Sequence, residues 1–251
     1  MTSKLHADRT DVVRSLTSSI DENGEEVAAR IEEVIFPEGA PPNLTVAIFL
    51  VALAAAVQRE VDGLGAADSA LVKELADDEG YRDTRADATD DARVVVQRGR
   101  AAMVAGYGAG APAKVGLDGE MPRDATQLAQ VAKTSADLVE SAELGEPVLP
   151  TDRAAVAAQL RAAGVRVDRS LADVSREERE AQTLRRKRDE QDAKVRRLYG
   201  GFADAFAGLA AAAGLHEVAR RVRPTTRRRA GLPEAEDVVV TDPTLVTDPT
   251  T

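Results

Sequence analysis

Cysteine and tryptophan are missing from this 251-residue chain, and histidine occurs only twice. Without cysteine the chain forms no disulfide, thiolate metal site, iron–sulfur cluster or cysteine nucleophile. A zinc or haem site would have to join His6 to the distant His216. The di-metal bundle motif Glu-x-x-His is absent, because Ala213 stands three residues before His216. We therefore predict no catalytic residues, no cofactor and no metal ligands, and we expect a protein that is not an enzyme.

Aromatic residues are scarce at 3%, whereas apolar residues of all kinds make up 43% of the chain. That apolar fraction suffices for a folded core, which must be built mainly from Ala, Leu and Val. Such small side chains let helices approach closely but bury less area per residue than aromatic side chains do. The formal net charge of −10 argues against a chain that wraps nucleic acid.

Long hydrophobic runs are also absent, since the longest, Leu44–Val57, has 14 residues, against about 20 for a membrane-spanning helix. No basic leader precedes it, so we expect neither a membrane span nor a signal peptide, and a cytoplasmic location. The lack of turn residues before Gly63 favours a helix with Asn43 as its N-cap. A helix that is apolar on all sides must be surrounded by protein. We therefore expect Leu44–Val57 to be a central helix, or one buried between subunits.

The periodicity of the remaining chain predicts an all-α protein, an antiparallel bundle of long helices. We predict a polar leader and short helices over residues 1–42, the bundle over 43–224, and an extended or disordered tail over 225–251. The tail carries the sequence Val-Thr-Asp-Pro-Thr twice, and its prolines exclude helix. A repeated short motif of this kind is also compatible with an arm that docks on another chain.

Capping patterns and glycines predict where the helices begin and end. The predicted boundaries are a start at Asn23 with Glu26, an interruption near Gly63 and Gly65, a start at Asp124 with Gln127, a start at Thr151, a start at Ser175 with Glu178, a stop at Gly214, and a final turn at His216–Val222.

When the sequence is aligned with itself at an offset of 101 residues, several residues match, among them Gly63 with Gly164 and Gly99 with Gly200. Positions 54–102 give 12 identities in 49 without a gap. Ala-rich helices also match by accident, so duplication and coincidence both remain open. If the duplication is real, residues 43–122 and 151–224 are repeated helical hairpins that pack as a bundle.

Two further patterns resemble sites without the context that a site needs. Asp83, Asp87 and Asp91 share one helical face and could chelate Mg²⁺ or Ca²⁺. Arginines occupy the same turns, however, so a solvated charged face is the favoured interpretation.

The Gly-rich stretch Gly106–Pro112 has no preceding strand and no following Lys-Ser/Thr, so it lacks the geometry of a phosphate-binding loop. We interpret it as a flexible connection.

Residues 185–229 concentrate positive charge, with 13 Arg and Lys residues against five Asp and Glu residues. We favour pairing of this segment with the acidic segment 77–91 of the same or a neighbouring chain. Nucleic acid is possible but not favoured, because no aromatic residues are interleaved for base stacking. The candidate residues for contact with an anion or a partner are Arg220, Arg221, Arg223, Arg227, Arg228 and Arg229.

These features predict a non-enzymatic structural or assembly protein, a self-associating helical bundle that acts as a scaffold subunit. We expect a homo-oligomer or a protein partner. The alternative is a nucleic-acid or anionic-ligand binding module that uses the Arg-rich C-terminal region.

Overall fold

The computed structural model describes residues 3–39, 41 and 45–230. Every regular element in these residues is a helix, which confirms the all-α prediction. The helices are α1 (Lys4–Ile35), α2 (Val46–Tyr107), α3 (Ala111–Lys114), α4 (Ala125–Ser141), α5 (Arg153–Ala212), α6 (His216–Val222) and α7 (Thr226–Arg229).

The chain divides into two compact units by its internal contacts. Unit 1 comprises the chain up to Ser69 and from Lys187 onward, and unit 2 comprises Ala70–Arg186. The 62-residue α2 and the 60-residue α5 each contribute to both units. The division predicted from sequence follows the order of the chain, whereas these units combine segments that lie far apart in sequence.

The N-terminal region is one 32-residue helix rather than the two short helices predicted. Asn23 does not cap a second helix, because its side-chain amide donates to the carbonyl of Ser19 within α1 at 3.0 Å. One buried stripe runs along the whole helix and outweighs the local capping pattern. Its apolar members are Val12, Val13, Leu16, Ile20, Val27, Ala28 and Ile31.

Helix α2 begins after Thr45, whose hydroxyl accepts the N–H of Ile48 at 3.2 Å, as an N-cap does. The predicted cap, Asn43, lies outside the described residues.

The predicted interruption of α2 near Gly63 and Gly65 does not occur. Both glycines lie where another segment of unit 1 passes very close. A Cβ atom at Gly63 would lie 2.9 Å from Nε2 of Gln191, and one at Gly65 would lie 2.7 Å from Nε2 of His6. Glycine costs a helix about 1 kcal/mol relative to alanine. Here the close packing that only glycine permits offsets that cost.

Helix α5 is likewise continuous through Ser175, where a new segment is predicted from the sequence. The stripe of buried residues continues across this point with Val174, Glu177 and Ala181, at helical spacing. The start of α5 is capped by Asp152, whose carboxylate accepts the N–H of Ala155 at 2.9 Å.

Several predicted boundaries are confirmed, and one of them is the final turn, since α6 spans His216–Val222. The carboxylate of Asp124 accepts the N–H of Gln127 at 2.9 Å and caps α4. Gly214 ends its helix with a φ of +78°, and the N–H of Leu215 donates to the carbonyl of Ala210 at 2.8 Å, as in a Schellman motif. Residues 226–229 of the predicted tail form the turn α7, and the tail from residue 231 lies outside the described residues.

Each unit has its own hydrophobic core. The core of unit 1 includes Leu50, Leu64 and Phe206. The core of unit 2 is built from α3, α4 and parts of α2 and α5, and seven of its fifteen buried residues are alanine. This composition lets the helices approach closely, so that a Cβ atom at Gly99 would lie only 3.4 Å from Leu160.

Candidate functional sites

The apolar run at the start of α2 is covered on one face only. Leu50 and Val57 are buried in the core of unit 1. On the opposite side, Ile48, Phe49 and Val51 expose 66%, 53% and 63% of their surface. The prediction that this run is wrapped by other helices of the chain is therefore wrong, because unit 1 covers only one side of it.

The end of α1 enlarges this exposed region. The backbone N–H of Val46 donates to the carboxylate of Glu32 at 2.5 Å, which holds the start of α2 beside the last turns of α1. Val34 and Ile35 in those turns are 72% and 54% exposed. We call the following five residues the apolar surface: Val34, Ile35, Ile48, Phe49 and Val51. Monomeric proteins rarely leave a large apolar patch of this kind uncovered unless it has a function.

The six candidate arginines lie together in unit 1, on α6, on α7 and in the segment between them. At least three of them form ion pairs within that unit. These pairs are Arg220 with Glu217 at 2.5 Å, Arg221 with Glu22 at 3.4 Å and Arg229 with Asp204 at 2.8 Å. All three pairs are solvent-exposed, so each contributes little to stability and leaves the guanidinium accessible.

The acidic segment 77–91 has its ion pairs elsewhere, within unit 2. Its pairs are Asp78 with Arg82 at 2.8 Å, Asp90 with Arg93 at 2.7 Å and Asp91 with Arg166 at 2.7 Å. None of these three arginines belongs to the basic segment 185–229. Asp83 and Asp87 are exposed on α2.

Three carboxylates do converge in unit 2, at a place where the sequence analysis predicts no site. Glu74 on α2 and Glu177 and Glu180 on α5 each place one oxygen so that all three lie within 4.8 Å of one another. We call these three residues the acidic cluster. Desolvation, reinforced by the charges of Glu177 and Glu180, raises the pKa of Glu74. Burial and the neighbouring carboxylates thus disfavour the charged form of Glu74.

Two oxygen atoms at this place have no hydrogen-bond partner. Among the described residues, they are the only buried side-chain nitrogen or oxygen atoms found without one: Oε1 of Glu74 and Oδ1 of Asp78. Asp78 lies one turn beyond Glu74 on α2, is only 8% exposed, and adds to the charge that raises the pKa of Glu74. Its other oxygen accepts from Arg82.

The sequence does contain a signal for this cluster. Leu71, Glu74 and Asp78 follow one helical face of α2, and Val174 and Glu177 follow one face of α5. Carboxylates thus occupy positions that a periodic apolar stripe would assign to the core. Residues 176–194 contain Leu184 as their only large apolar residue, which obscures this pattern.

The remaining predicted features are dispersed. His6 packs against Gly65 in unit 1, and His216 begins α6. Gly106 belongs to α2, and the connection that follows contains the short helix α3. Unit 2 also carries an open groove of about 460 Å³, whose lining includes the ion-paired Asp91 and Arg166.

No helix in the described part of the chain is long and apolar enough to cross a membrane. No protein-family model matches the sequence, and the comparisons with curated proteins and with solved structures give no match either.

Proposed function

We propose that this protein is a non-enzymatic subunit of a homo-oligomeric assembly, in which copies contact one another through the apolar surface. The observation that supports this function is the uncovered side of α2, where Ile48, Phe49 and Val51 are all more than half exposed. A chain with few aromatic residues places one of its four phenylalanines in solvent at this position.

A second copy is the occupant that the energetics favour. Full burial of a Val, Ile or Phe side chain contributes about 1.5–3 kcal/mol, so covering five half-exposed residues contributes roughly 5 kcal/mol. A twofold contact uses the same surface on both copies and doubles this to roughly 10 kcal/mol. Association costs about 4–15 kcal/mol. A contact of this surface with a polar partner, at roughly 5 kcal/mol, lies near the lower end of that cost, whereas two such surfaces, at roughly 10 kcal/mol, lie in the middle of it.

Charges at the two ends of the apolar surface support an antiparallel arrangement of the two copies. Glu33 is exposed in the last turns of α1, near the start of α2, and Arg59 is exposed just beyond the apolar run. When two copies of α2 pair in opposite directions, Arg59 of one copy lies toward Glu33 of the other. These exposed pairs contribute specificity more than affinity.

Each copy supplies a rigid helical scaffold, which in this proposal is an antiparallel bundle. Within unit 2, Asp91 pairs with Arg166, whereas Gly99, farther along α2, packs against Leu160, which lies earlier on α5. Contacting residue numbers thus rise on one helix as they fall on the other. This order supports antiparallel pairing of α2 and α5.

The proposal includes an internal duplication. A shorter helix precedes each long helix, and a glycine with positive φ and a short helix follow each, although Gly116 comes after the short α3 whereas Gly214 comes before the short α6. The residue after each glycine closes the same turn, with Leu117 donating to Pro112 at 2.8 Å and Leu215 to Ala210 at 2.8 Å. These paired features favour duplication over accidental similarity.

Sedimentation velocity over a range of protein concentrations tests self-association. We expect concentration-dependent dimers or larger species with a dissociation constant in the micromolar range. Val51→Asp should leave the chain monomeric with unchanged helicity, because Val51 faces solvent within one copy. Val72→Asp is the matched control, since Val72 is an exposed valine on the same helix outside the apolar surface. A wild-type chain that stays monomeric at 1 mM, or a control that dissociates equally, would contradict the proposal.

The second candidate function, binding of nucleic acid or another polyanion, is favoured by the grouping of six arginines on neighbouring segments of unit 1. Fluorescence anisotropy with single-stranded DNA at low salt should then show binding that weakens steeply as salt rises. Replacing Arg227, Arg228 and Arg229 by Ala should reduce both the affinity and the salt slope. The control replaces three exposed arginines of unit 2: Arg85, Arg98 and Arg169. Absence of binding at low salt removes this candidate.

A further inference from the structure

We propose that the acidic cluster of unit 2 is a binding site for a hard divalent cation of the size of Ca²⁺, held by Glu74, Glu177 and Glu180 with Asp78 beside them. The inference is independent of the proposed assembly, since its residues lie in unit 2 and the apolar surface lies in unit 1.

The geometry of the three oxygens suits a shared ion. Ca²⁺ binds oxygen at about 2.3–2.6 Å, so oxygens on opposite sides of one ion lie about 4.6–5.2 Å apart. The three carboxylate oxygens lie within 4.8 Å of one another, inside that span. Mg²⁺ gives up its bound water reluctantly and is seldom held by protein carboxylates alone, which favours Ca²⁺ at this site. The donor set consists only of carboxylates, which favours Ca²⁺ or Mn²⁺ over Zn²⁺ or Cu²⁺.

The second observation is the absence of partners for buried oxygens at the same place. Oε1 of Glu74 and Oδ1 of Asp78 are buried and accept no hydrogen bond. Burial of a polar atom without a partner is costly, and more so for a charged group. Asp78 is more than nine-tenths buried and lies close enough for its charge to act on Glu74. A cation at the cluster would supply Oε1 of Glu74 with the partner it lacks, and its charge would also act on the neighbouring Asp78.

Two neighbouring arginines pair with three of these carboxylates but not with Glu74. Arg176 lies 3.2 Å from Oε1 of Glu177 and 3.9 Å from Oε1 of Glu180, and Arg82 reaches Oδ2 of Asp78. Glu74 has no ion pair among the described contacts. Asp77 and Asp78 add their negative charges to those of Glu177 and Glu180 at Glu74. A divalent cation bound there would neutralise part of this charge.

Isothermal titration calorimetry of the full chain, stripped with EDTA and titrated with CaCl₂ at physiological ionic strength, tests the site. We expect one ion per chain with a dissociation constant of about 10⁻⁵–10⁻³ M, the range of moderate and weak calcium sites. MgCl₂ should bind at least tenfold more weakly. Glu74→Gln should weaken Ca²⁺ binding at least tenfold. Glu180→Gln, which changes an exposed ligand, provides a second variant if Glu74→Gln does not fold.

The double variant Glu79→Gln/Glu178→Gln is the matched control, because it removes one exposed carboxylate from each of the same two helices outside the cluster. Its Ca²⁺ affinity should stay within twofold of that of the wild type. Equal weakening in the control would overturn the proposal in favour of diffuse attraction to an acidic surface.

Two further results would overturn the proposal. One is the absence of both binding heat and thermal stabilisation at 5 mM Ca²⁺. The other is a Glu74→Gln chain that melts higher than a wild type that does not bind Ca²⁺, which would indicate a carboxyl group that shares a proton with its neighbours. Sedimentation with and without Ca²⁺ distinguishes the cation site from the proposed assembly. Ca²⁺ binding can be measured in a monomeric chain, and self-association can be measured in a chain that binds no Ca²⁺.

Discussion

Unit 1 contains one buried ion pair whose removal should destabilise the fold strongly. Nε of Arg9 on α1 lies 2.5 Å from Oδ1 of Asp192 on α5, and the two side chains are only 7% and 10% exposed. A second guanidinium nitrogen of Arg9 donates to Oδ2 at 3.3 Å. Removing one partner of a buried pair costs about 3–5 kcal/mol, because the remaining charge stays buried without compensation.

The expected cost of Arg9→Met lies at the lower end of that range, about 3 kcal/mol. Asp192 keeps one partner after the substitution, since Nε of Arg196 lies 3.1 Å from its Oδ2. For a chain of this size, 1 kcal/mol lowers the melting temperature by about 2–4 °C, so we expect a decrease of roughly 6–12 °C. The free energy of unfolding is measured by urea denaturation followed by far-UV circular dichroism.

An exposed pair on the same helix provides the matched control. Arg14 and Asp11 lie 2.9 Å apart, but their side chains are 67% and 56% exposed, so Arg14→Met should cost less than about 0.5 kcal/mol. The double variant Arg9→Met/Asp192→Leu removes both buried charges and should recover much of the lost stability. The reasoning would be refuted if Arg9→Met lowered the free energy of unfolding no more than Arg14→Met does. It would also be refuted if the double variant lost as much stability as Arg9→Met and Asp192→Leu lose separately in sum.

Two other substitutions and one pH dependence follow from the same contacts. Gly164→Ala should cost about 1–3 kcal/mol in urea denaturation, because its Cβ atom would lie 2.9 Å from the carbonyl oxygen of Ala129. Gly80→Ala, with nothing within 4 Å, should instead stabilise the chain by about 0.5–1 kcal/mol; equal effects at both glycines would contradict the packing described. Hydrogen bonds, first from Lys194, lower the pKa of Glu60 from its ordinary value of 4.5. The stabilisation from this carboxylate is therefore present above its unfolded pKa and is lost as pH falls through the lower folded pKa. Wild type should lose stability relative to Glu60→Gln on acidification below about pH 4.5, and parallel curves for the two chains would exclude this effect.

Local sequence determined the helical state of the chain and several of its boundaries. Helix formers dominate, no alternating strand pattern occurs, and a side chain such as that of Asp124 satisfies the free N–H groups of a helix start by itself. Gly214 likewise ends a helix through its own backbone conformation. These features depend on residues within one or two turns of each other, so they can be read without knowledge of the fold.

Only the tertiary structure decided where the helices continue and which faces they bury. Gly63 remains inside a helix because Gln191, 128 positions later in the chain, packs against it. Phe49 is exposed because unit 1 covers the other side of α2, which no property of an all-apolar segment reveals. Glu74 and Glu177 approach each other because α2 and α5 pack together in unit 2. Each of these outcomes is set by contacts between residues distant in sequence, and local propensity carries no information about them.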